Sequence, residues 1–377
     1  MPQPFREYHL FKMLEAFEAL SENIPLDVFI SKYLRAHSAV GAKDRRFISE
    51  TLYALVRWRG LLDHLSTPPL SWQKRFELYQ KCDLTTYISQ SSIPPHIRGS
   101  FPKSLFQIIA SAYGEEKALE FCVTCNAPAP TTVRINPLKT TRDALLNKWQ
   151  ETYSVSAASH SPWGIIFHCK TNFFAMPEFK EGFFEIQDEG SQLIAALIEA
   201  KPGAQVLDYC AGAGGKTLAF APAMENKGQI YLHDIRNYAL EEGKKRLRRA
   251  GIQNAQLLFA NDPKKKNLKE KMDWILVDAP CGGTGTLRRN PDMKWKFQPA
   301  TIERLVEEQR MIFAEALEFL HPNGRIVYAT CSVLPQENEA QAAFFQEKHG
   351  LRLVQEPFRS FPQKGGMDGF FGAVFAR

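Results

Sequence analysis

Val206-Leu207-Asp208-Tyr209-Cys210-Ala211-Gly212-Ala213-Gly214-Gly215-Lys216-Thr217 is the stretch on which the reading of this 377-residue chain turns. Val206 to Asp208 read as the end of a buried strand. The small residues behind it let the backbone turn tightly and approach a ligand before a helix opens near Lys216. Two phosphate-binding readings fail on spacing. A phosphate-cradling loop needs Gly at the first of the eight positions ending at Thr217, where Cys210 stands. Gly212, Gly214 and Gly215 also miss the Gly-x-Gly-x-x-Gly spacing of a dinucleotide turn. An adenosine-type ligand without a long polyphosphate remains, and S-adenosylmethionine leads among these.

Outward from this stretch the pattern alternates regularly. Strands are expected at 204–208, 229–233, 255–259, 273–278 and 325–330, with helices near 215–224, 237–250 and 301–319. Such alternation implies a mostly parallel sheet covered on both faces, a Rossmann-like α/β domain. A helix at 336–348 and strands near Arg352 and Phe371 suit an antiparallel edge hairpin. Ligands of such sheets lie beyond the carboxyl ends of the strands, so the residues closing each strand are the candidates. Asp208, Asp234, Asp262 and Asp278 all stand there. Asp234 suits two ribose hydroxyls and Asp262 the adenine amino edge. An isolated Asp after a strand is more often a helix cap, but four at consecutive strand ends point to a nucleoside site.

Upstream, Leu10, Leu14 and Phe17, then Phe47, Ile48, Thr51, Leu52, Leu55 and Val56, recur at helical spacing with basic residues along the edges. Proline-rich joints at 68–69, 91–95 and 126–130 divide the chain. Short strands are expected at 132–135, 164–168 and 183–186, with a helix at 141–149. Three parts result: a helical domain at 1–125, a small α+β module at 126–185 and the α/β domain at 186–377.

The net charge of +6 is compatible with nucleic acid without proving it. Lys244, Lys245, Arg246, Arg248 and Arg249 crowd one helix, which alone reads as a solvated face. No apolar run approaches a membrane span and the N-terminus lacks a signal-peptide core, so a cytoplasmic protein is expected. Seven scattered cysteines do not resemble a disulfide framework. A lone Cys122-x-x-Cys125 reads as structural, His233 stands alone, and no metal is expected.

Cys281 and Cys331 fall at two neighbouring strand ends, in Asp278-Ala279-Pro280-Cys281-Gly282-Gly283-Thr284-Gly285 and Thr330-Cys331-Ser332. A single Cys is by default a small buried hydrophobe. Two beside a cofactor turn need a chemical reason, and methylation at carbon 5 of a pyrimidine supplies one. That carbon is a poor nucleophile until a thiolate adds to carbon 6.

At this point the chain resembles the Nop/Sun (Fmu-type) RNA 5-methylcytosine methyltransferases, and among them the bacterial 16S ribosomal RNA enzymes. The resemblance runs from about Thr132 to the C-terminus, with a looser match before it. It rests on Ile186-Gln187-Asp188-Glu189-Gly190-Ser191-Gln192, on Asp208 to Thr217, on Asp278 to Trp295 with Arg288-Arg289-Asn290-Pro291-Asp292, on Thr330-Cys331-Ser332, and on Asp368-Gly369-Phe370-Phe371. One departure is visible: the family usually reads Ala-Pro-Gly-Gly-Lys-Thr where Gly212 and Ala213 here precede Gly214.

The resemblance implies Cys331 as nucleophile, Cys281 in product release, Asp278 on the cytosine ring edge and Lys216 favouring the thiolate. The candidate cofactor ligands, read from the turn and the strand ends, are Cys210, Ala211, Gly212, Ala213, Gly214, Gly215, Lys216, Asp234, Asp262 and Asp278. The substrate base must be looped out or flipped, with Trp295, Phe370 and Phe371 as candidate stacking surfaces. The helical domain looks like a NusB-like RNA-binding domain and the module like the family's small RNA-binding extension. Ribosomal RNA is the expected partner and transfer RNA its nearest rival. A silent RNA-binding or assembly protein of the same fold is a competing reading, against which both thiols argue. A P-loop nucleoside triphosphatase is the remaining enzyme alternative.

Overall fold

The structure, a computed structural model, describes residues 4–20 and 24–377. Contacts divide the chain into two compact units. One runs to Pro128 and includes the later segment Thr286–Pro299; the other comprises Ala129–Gly285 and Ala300–Arg377.

The first unit is helical. Its longest helix, Ala42–Leu65, carries Ile48, Leu52, Leu55 and Leu62 at 0 % exposure. These pack with Leu10 and Leu14 of Phe5–Glu18 and with Trp72 and Phe76 of Trp72–Lys81 in one core. The helices Lys103–Tyr113 and Glu115–Cys125 meet at Gly114, whose positive φ of 86° breaks the run. Segment Thr286–Pro299, which the motif pattern assigns to the α/β domain, belongs to this unit through buried polar contacts. Lys294 Nζ donates to Arg57 O (2.8 Å) and Asn126 Oδ1 (2.7 Å), and Trp295 Nε1 donates to Val56 O (2.7 Å). Burial pushes the Lys294 ammonium down to about 7. Trp295, anticipated as a stacking surface, instead packs against the helical core.

In the second unit, strands β1 (Thr131–Ile135), β2 (Val155–Ala157), β3 (Gly164–Phe167) and β4 (Phe184–Ile186) form an antiparallel sheet of order β2-β3-β1-β4. Helix Arg142–Gln150 packs Leu145 and Trp149 onto it. The larger sheet follows: β5 (Gln205–Asp208), β6 (Gln229–His233), β7 (Ala255–Leu258), β8 (Met272–Asp278), β9 (Leu320–Thr330), β10 (Arg352–Leu353), β11 (Phe358–Arg359) and β12 (Phe371–Ala376).

The order is β10-β12-β9-β8-β5-β6-β7, parallel from β7 through β9, with β12 antiparallel to β9. As expected, the last strand pairs antiparallel with the edge strand at Arg352, Arg352 opposite Ala376 and Leu353 opposite Phe375. It inserts between β9 and β10, which its continuous apolar run, buried from Phe371 to Phe375, explains. Side chains alternate between two cores, one on each face. Val206, Leu276 and Val327 enter one, and Leu207, Ile275, Val277 and Ile326 the other.

The small module is fastened to helix Asn237–Ala250 beside the large sheet. Asn136 Nδ2 donates to Gly182 O (2.9 Å) and Ala250 O (2.8 Å). Arg246 and Arg249 both pair with Glu185, so these two members of the basic cluster are structural rather than a solvated face. Gly182 has φ of 74°, and a Cβ there would lie 2.1 Å from Arg249 O. Gly182→Ala is expected to lower the unfolding free energy by about 2–3 kcal/mol in urea titration, since both strain and backbone overlap follow. An unchanged midpoint would show that this junction carries no stability.

Candidate active site

Strand β5 lies between β6 and β8, where successive connections leave to opposite sides and a crevice opens beyond the strand ends. The turn after it is held by many groups. Thr217 Oγ1 donates to Asp208 Oδ2 (2.6 Å) and Gly212 N to Asp234 Oδ2 (2.8 Å). Gly212 and Gly214 have φ of 52° and 72°, a conformation that glycine adopts without strain. Arg246 Nη1 donates to Ala213 O (2.9 Å), and Arg134 and Gln187 each donate to Gly215 O (3.2 Å). The Gly212-Ala213 departure is thus braced by side chains from the module and the neighbouring helix.

Two cavities flank the turn and share Cys210, Ala211 and Asp278. The larger, about 480 Å³, is lined by the start of the turn, by His233 to Arg236 after β6, and by Pro280 and the helix residues Glu308, Ile312 and Glu315. It sets a carboxylate, Asp234, beside an apolar side chain, Ile235, that is 80 % exposed. That pairing fits ribose hydroxyls next to an adenine face. Burial works against the Asp234 charge, but Arg236 and the N–H groups of Arg236 and Gly212 outweigh it and hold the carboxyl below its usual range. The smaller cavity, about 250 Å³, reaches Gln187, Ser191, Asp208, Lys216 and Arg246. Asp208 is 1 % exposed, its Oδ1 has no hydrogen-bond partner, and burial pushes its carboxyl up to about 7.

A buried carboxyl with one oxygen left without a partner, beside a 250 Å³ cavity, fits a ligand ammonium such as that of an amino-acid moiety. It also makes a test. A folded-state value above the unfolded one means the folded protein binds the extra proton, so Asp208 costs stability increasingly as pH rises from about 4 to about 7. Asp208→Asn should therefore raise stability at pH 8 by more than about 1 kcal/mol, leave it nearly unchanged at pH 4, and weaken cofactor binding. Equal effects at both pH values in thermal unfolding would remove this account.

The sulfurs of Cys281, after β8, and Cys331, after β9, lie 3.4 Å apart. Lys216 pairs with Asp278 at the mouth of the same turn. Burial opposes the Lys216 charge, yet Asp278 outweighs it and raises the ammonium above its ordinary value. The hydrogen bond between the thiols pushes Cys331 down and Cys281 up; Lys216 adds to the first, and burial to the second. Of the two, Cys331 is the thiol whose ionisation the site favours, and Cys281 the one it opposes. Backbone bonds stitch the loops together: Gly285 N donates to Cys331 O and Gly369 N to Gly285 O, each at 2.9 Å. Asp188 caps the helix Glu189–Ala196 and accepts from Asp368 N (3.2 Å). The separate sequence motifs meet here.

Some anticipated residues lie elsewhere. Asp262 lines neither cavity: β7 stops at Leu258, and the Asp262 carboxylate accepts from Lys264 N (2.9 Å) as the cap of the short helix Pro263–Leu268. Ala213 and Gly214 shape the turn without lining it. Phe370 and Phe371, at 5 % and 0 % exposure, are core residues rather than stacking surfaces, because the strand that follows lies inside the sheet. His233 is not isolated; it is buried against Tyr209 O (2.9 Å) and Lys265 (2.7 Å) and lines the larger cavity. Conversely, Arg246, Ile235 and Glu308 line the cavities without having been singled out as ligand contacts. Ile235 follows Asp234 directly, which was a usable signal. Glu308 and Arg246 sit on helices, where strand-end reasoning does not look.

Among the described residues no group of His, Cys, Asp and Glu forms a metal site, and no helix is long and apolar enough to cross a membrane. Fold and site define a class I S-adenosylmethionine-dependent methyltransferase. Residues 195–376 match the model of the 16S rRNA methyltransferase RsmB/F family, and 101–173 that of its ferredoxin-like domain. The chain belongs to the RsmB/F (Nop/Sun-type) methyltransferase family, whose cofactor is S-adenosylmethionine.

A probable ribosomal RNA small subunit methyltransferase B from Synechocystis is 33% identical over 70% of this chain and 58% of its own length. The ribosomal RNA small subunit methyltransferase B of Pseudomonas putida is also 33% identical, over 74% and 67%. The chain thus spans somewhat under two thirds of the first of these relatives. The fold is shared with PH0851, a crystal structure matched over 100% of both chains at TM-score 0.81 and 22% identity. NSun6 from Pyrococcus horikoshii, solved with SFG, matches 74% of this chain and 98% of its own at TM-score 0.65 and 21% identity.

Proposed function

We propose that this protein methylates carbon 5 of a cytosine in RNA, with ribosomal RNA as its substrate, through a covalent bond between Cys331 and the base. The observation that carries the reading is the 3.4 Å approach of the two sulfurs beside the Lys216–Asp278 pair at the cofactor turn. A binding protein has no use for two apposed thiols at that place.

The cofactor, held by the Cys210–Lys216 turn, Asp234 and Asp208, supplies an electrophilic methyl group. The chain's own residues do the rest. The Cys331 thiolate adds to carbon 6 of the ring, and ring nitrogen 3 takes up a proton from the Asp278–Lys216 pair. The ammonium is the source of that proton and the carboxylate faces the ring edge, so Asp278 need not be protonated beforehand. Carbon 5, now enamine-like, takes the methyl group. A solvent water takes the carbon 5 hydrogen as a proton, which re-forms the double bond to carbon 6 and expels Cys331 as thiolate. Nitrogen 3 returns its proton to the Lys216 amine, and the re-formed ammonium together with the Cys281 S–H stabilises the leaving sulfur.

Ribosomal RNA is preferred because both relatives are named for the ribosomal small subunit. The helical unit, with exposed Lys43, Arg46 and Lys81, and the module are assigned to RNA contact. The test is transfer of labelled methyl from S-adenosylmethionine to ribosomal RNA, assembling small subunits and transfer RNA, followed by nucleoside analysis. Label in 5-methylcytidine of ribosomal RNA is expected. Label in another base, or only in transfer RNA, overturns the corresponding part. Cofactor binding with no transfer to any of the three would favour a silent RNA-binding protein.

A further inference from the structure

Glu337 and Asn338, adjacent residues between β9 and helix Glu339–His349, are 0 % and 1 % exposed. They stand behind the two cysteine loops, and each holds one of them. On the Cys281 side, Glu337 Oε1 accepts from Gly282 N (2.7 Å) and from Gln309 Nε2 (3.0 Å). Gln309 Nε2 also donates to Pro280 O (3.0 Å), so the backbone is held immediately before and immediately after Cys281. On the Cys331 side, Asn338 Oδ1 accepts from Thr330 Oγ1 (2.6 Å) and its Nδ2 donates to Ser332 O (2.9 Å). The residues before and after Cys331 are thereby held as well.

Burial pushes the Glu337 carboxyl above its ordinary value, and the N–H donors on Oε1 oppose that rise. Both partners of Oε1 are N–H donors, and Oε2 is buried without a hydrogen-bond partner. The charged and titratable groups facing the sulfurs are Lys216 and Asp278 on one side and Glu337 with the Tyr328 hydroxyl on the other. Tyr328 Oη donates to Glu337 O (2.7 Å). The Glu337 carboxyl acts to raise both thiols, and it is bonded to the backbone of Gly282 beside Cys281, whereas at Cys331 the Lys216 ammonium opposes it and Asp278 reinforces it. Negative charge beside a thiol opposes its ionisation, so the balance is unequal.

We infer, on the basis of the cysteine roles proposed above, that Glu337 and Asn338 are positioning residues. They hold the two cysteine loops in register, and the Glu337 carboxylate keeps the shared proton on Cys281 so that Cys331 carries the charge.

The test is iodoacetamide alkylation of the full-length protein across pH, read peptide by peptide by mass spectrometry without RNA or cofactor. In wild type Cys331 reacts at lower pH than Cys281. Glu337→Gln keeps the shape and removes the charge; the Cys331:Cys281 rate ratio at neutral pH should narrow by about fivefold, as a relative shift approaching one pKa unit requires. Asn338→Ala leaves the carboxylate in place and should keep the ratio within about twofold while slowing methyl transfer at unchanged cofactor affinity.

A ratio unchanged in a Glu337→Gln protein that melts with wild type overturns the inference. An equal collapse in Asn338→Ala does so too, because loop disorder and not charge would then be the cause. Should Glu337→Gln not fold, Glu337→Asp takes its place: order retained with slower transfer supports the inference, and loss of order overturns it. Because alkylation needs no substrate, a shifted ratio with no 5-methylcytidine formed by wild type would sink the cytosine reading and leave this one standing.

Discussion

Cys331→Ala is expected to abolish methyl transfer, by more than about 10⁴-fold, while binding S-adenosylmethionine as wild type does. Without the thiolate, carbon 5 never becomes nucleophilic. Cys281→Ala should instead trap protein on RNA. Addition and methylation need only Cys331, but expulsion of Cys331 loses the S–H that stabilises the departing sulfur across 3.4 Å. On a denaturing gel with labelled cofactor, label at the mass of a protein–RNA adduct should accumulate in Cys281→Ala and be missing from Cys331→Ala. The reverse pattern would exchange the two roles. Intact transfer in Cys331→Ala would falsify the covalent mechanism altogether. Alanine at these partly exposed positions removes little packing, so loss of activity with a retained melting temperature is interpretable.

The second large effect is expected from Lys216→Met, which keeps the length of the side chain and removes its charge. Lys216 is 12% exposed in its side chain and carries three functions at one atom. It pairs with Asp278, favours the Cys331 thiolate and supplies the proton for ring nitrogen 3. Methyl transfer should fall by about 10²–10³-fold in kcat, the range of a lost general acid combined with lost charge stabilisation. The sign of the accompanying pH effect is definite. Removing a positive neighbour raises the Cys331 thiol, so its alkylation profile must move to higher pH. A kcat loss without that movement would restrict Lys216 to proton delivery. Unchanged kcat would remove it from the chemistry.

The sheet was legible because its strands carry unambiguous signals. Val206-Leu207-Asp208 and Trp274 to Asp278 are apolar runs that close on Asp, and the parallel strands begin and end within a few residues of where the pattern places them. The first helix was less so. It forms regularly only over Thr217–Phe220 and tightens to a 3-10 turn at Ala221–Met224, where Pro222 withholds a backbone donor. Strand β2 was not anticipated, because three residues, none of them fully buried, carry no period. The insertion of β12 was hidden for a different reason. Local pattern states that a strand is apolar on both faces, but not which partners cover its edges.

The linear order of residues determined the class of fold, the cofactor turn, and the two cysteines at neighbouring strand ends, since each follows from local pattern joined to the rule that ligands lie beyond parallel strands. Tertiary structure alone decided what those residues do to one another. The sulfur–sulfur approach, the bracing of the turn by Arg134, Gln187 and Arg246, and the bond from Gly282 to Glu337 all join groups distant in the chain. It also gave some anticipated residues other partners. Asp262 became a cap and Phe370 and Phe371 became core. A side chain's ionisation and partners depend on burial and on neighbours brought by folding, and neither is a property of its position in the sequence.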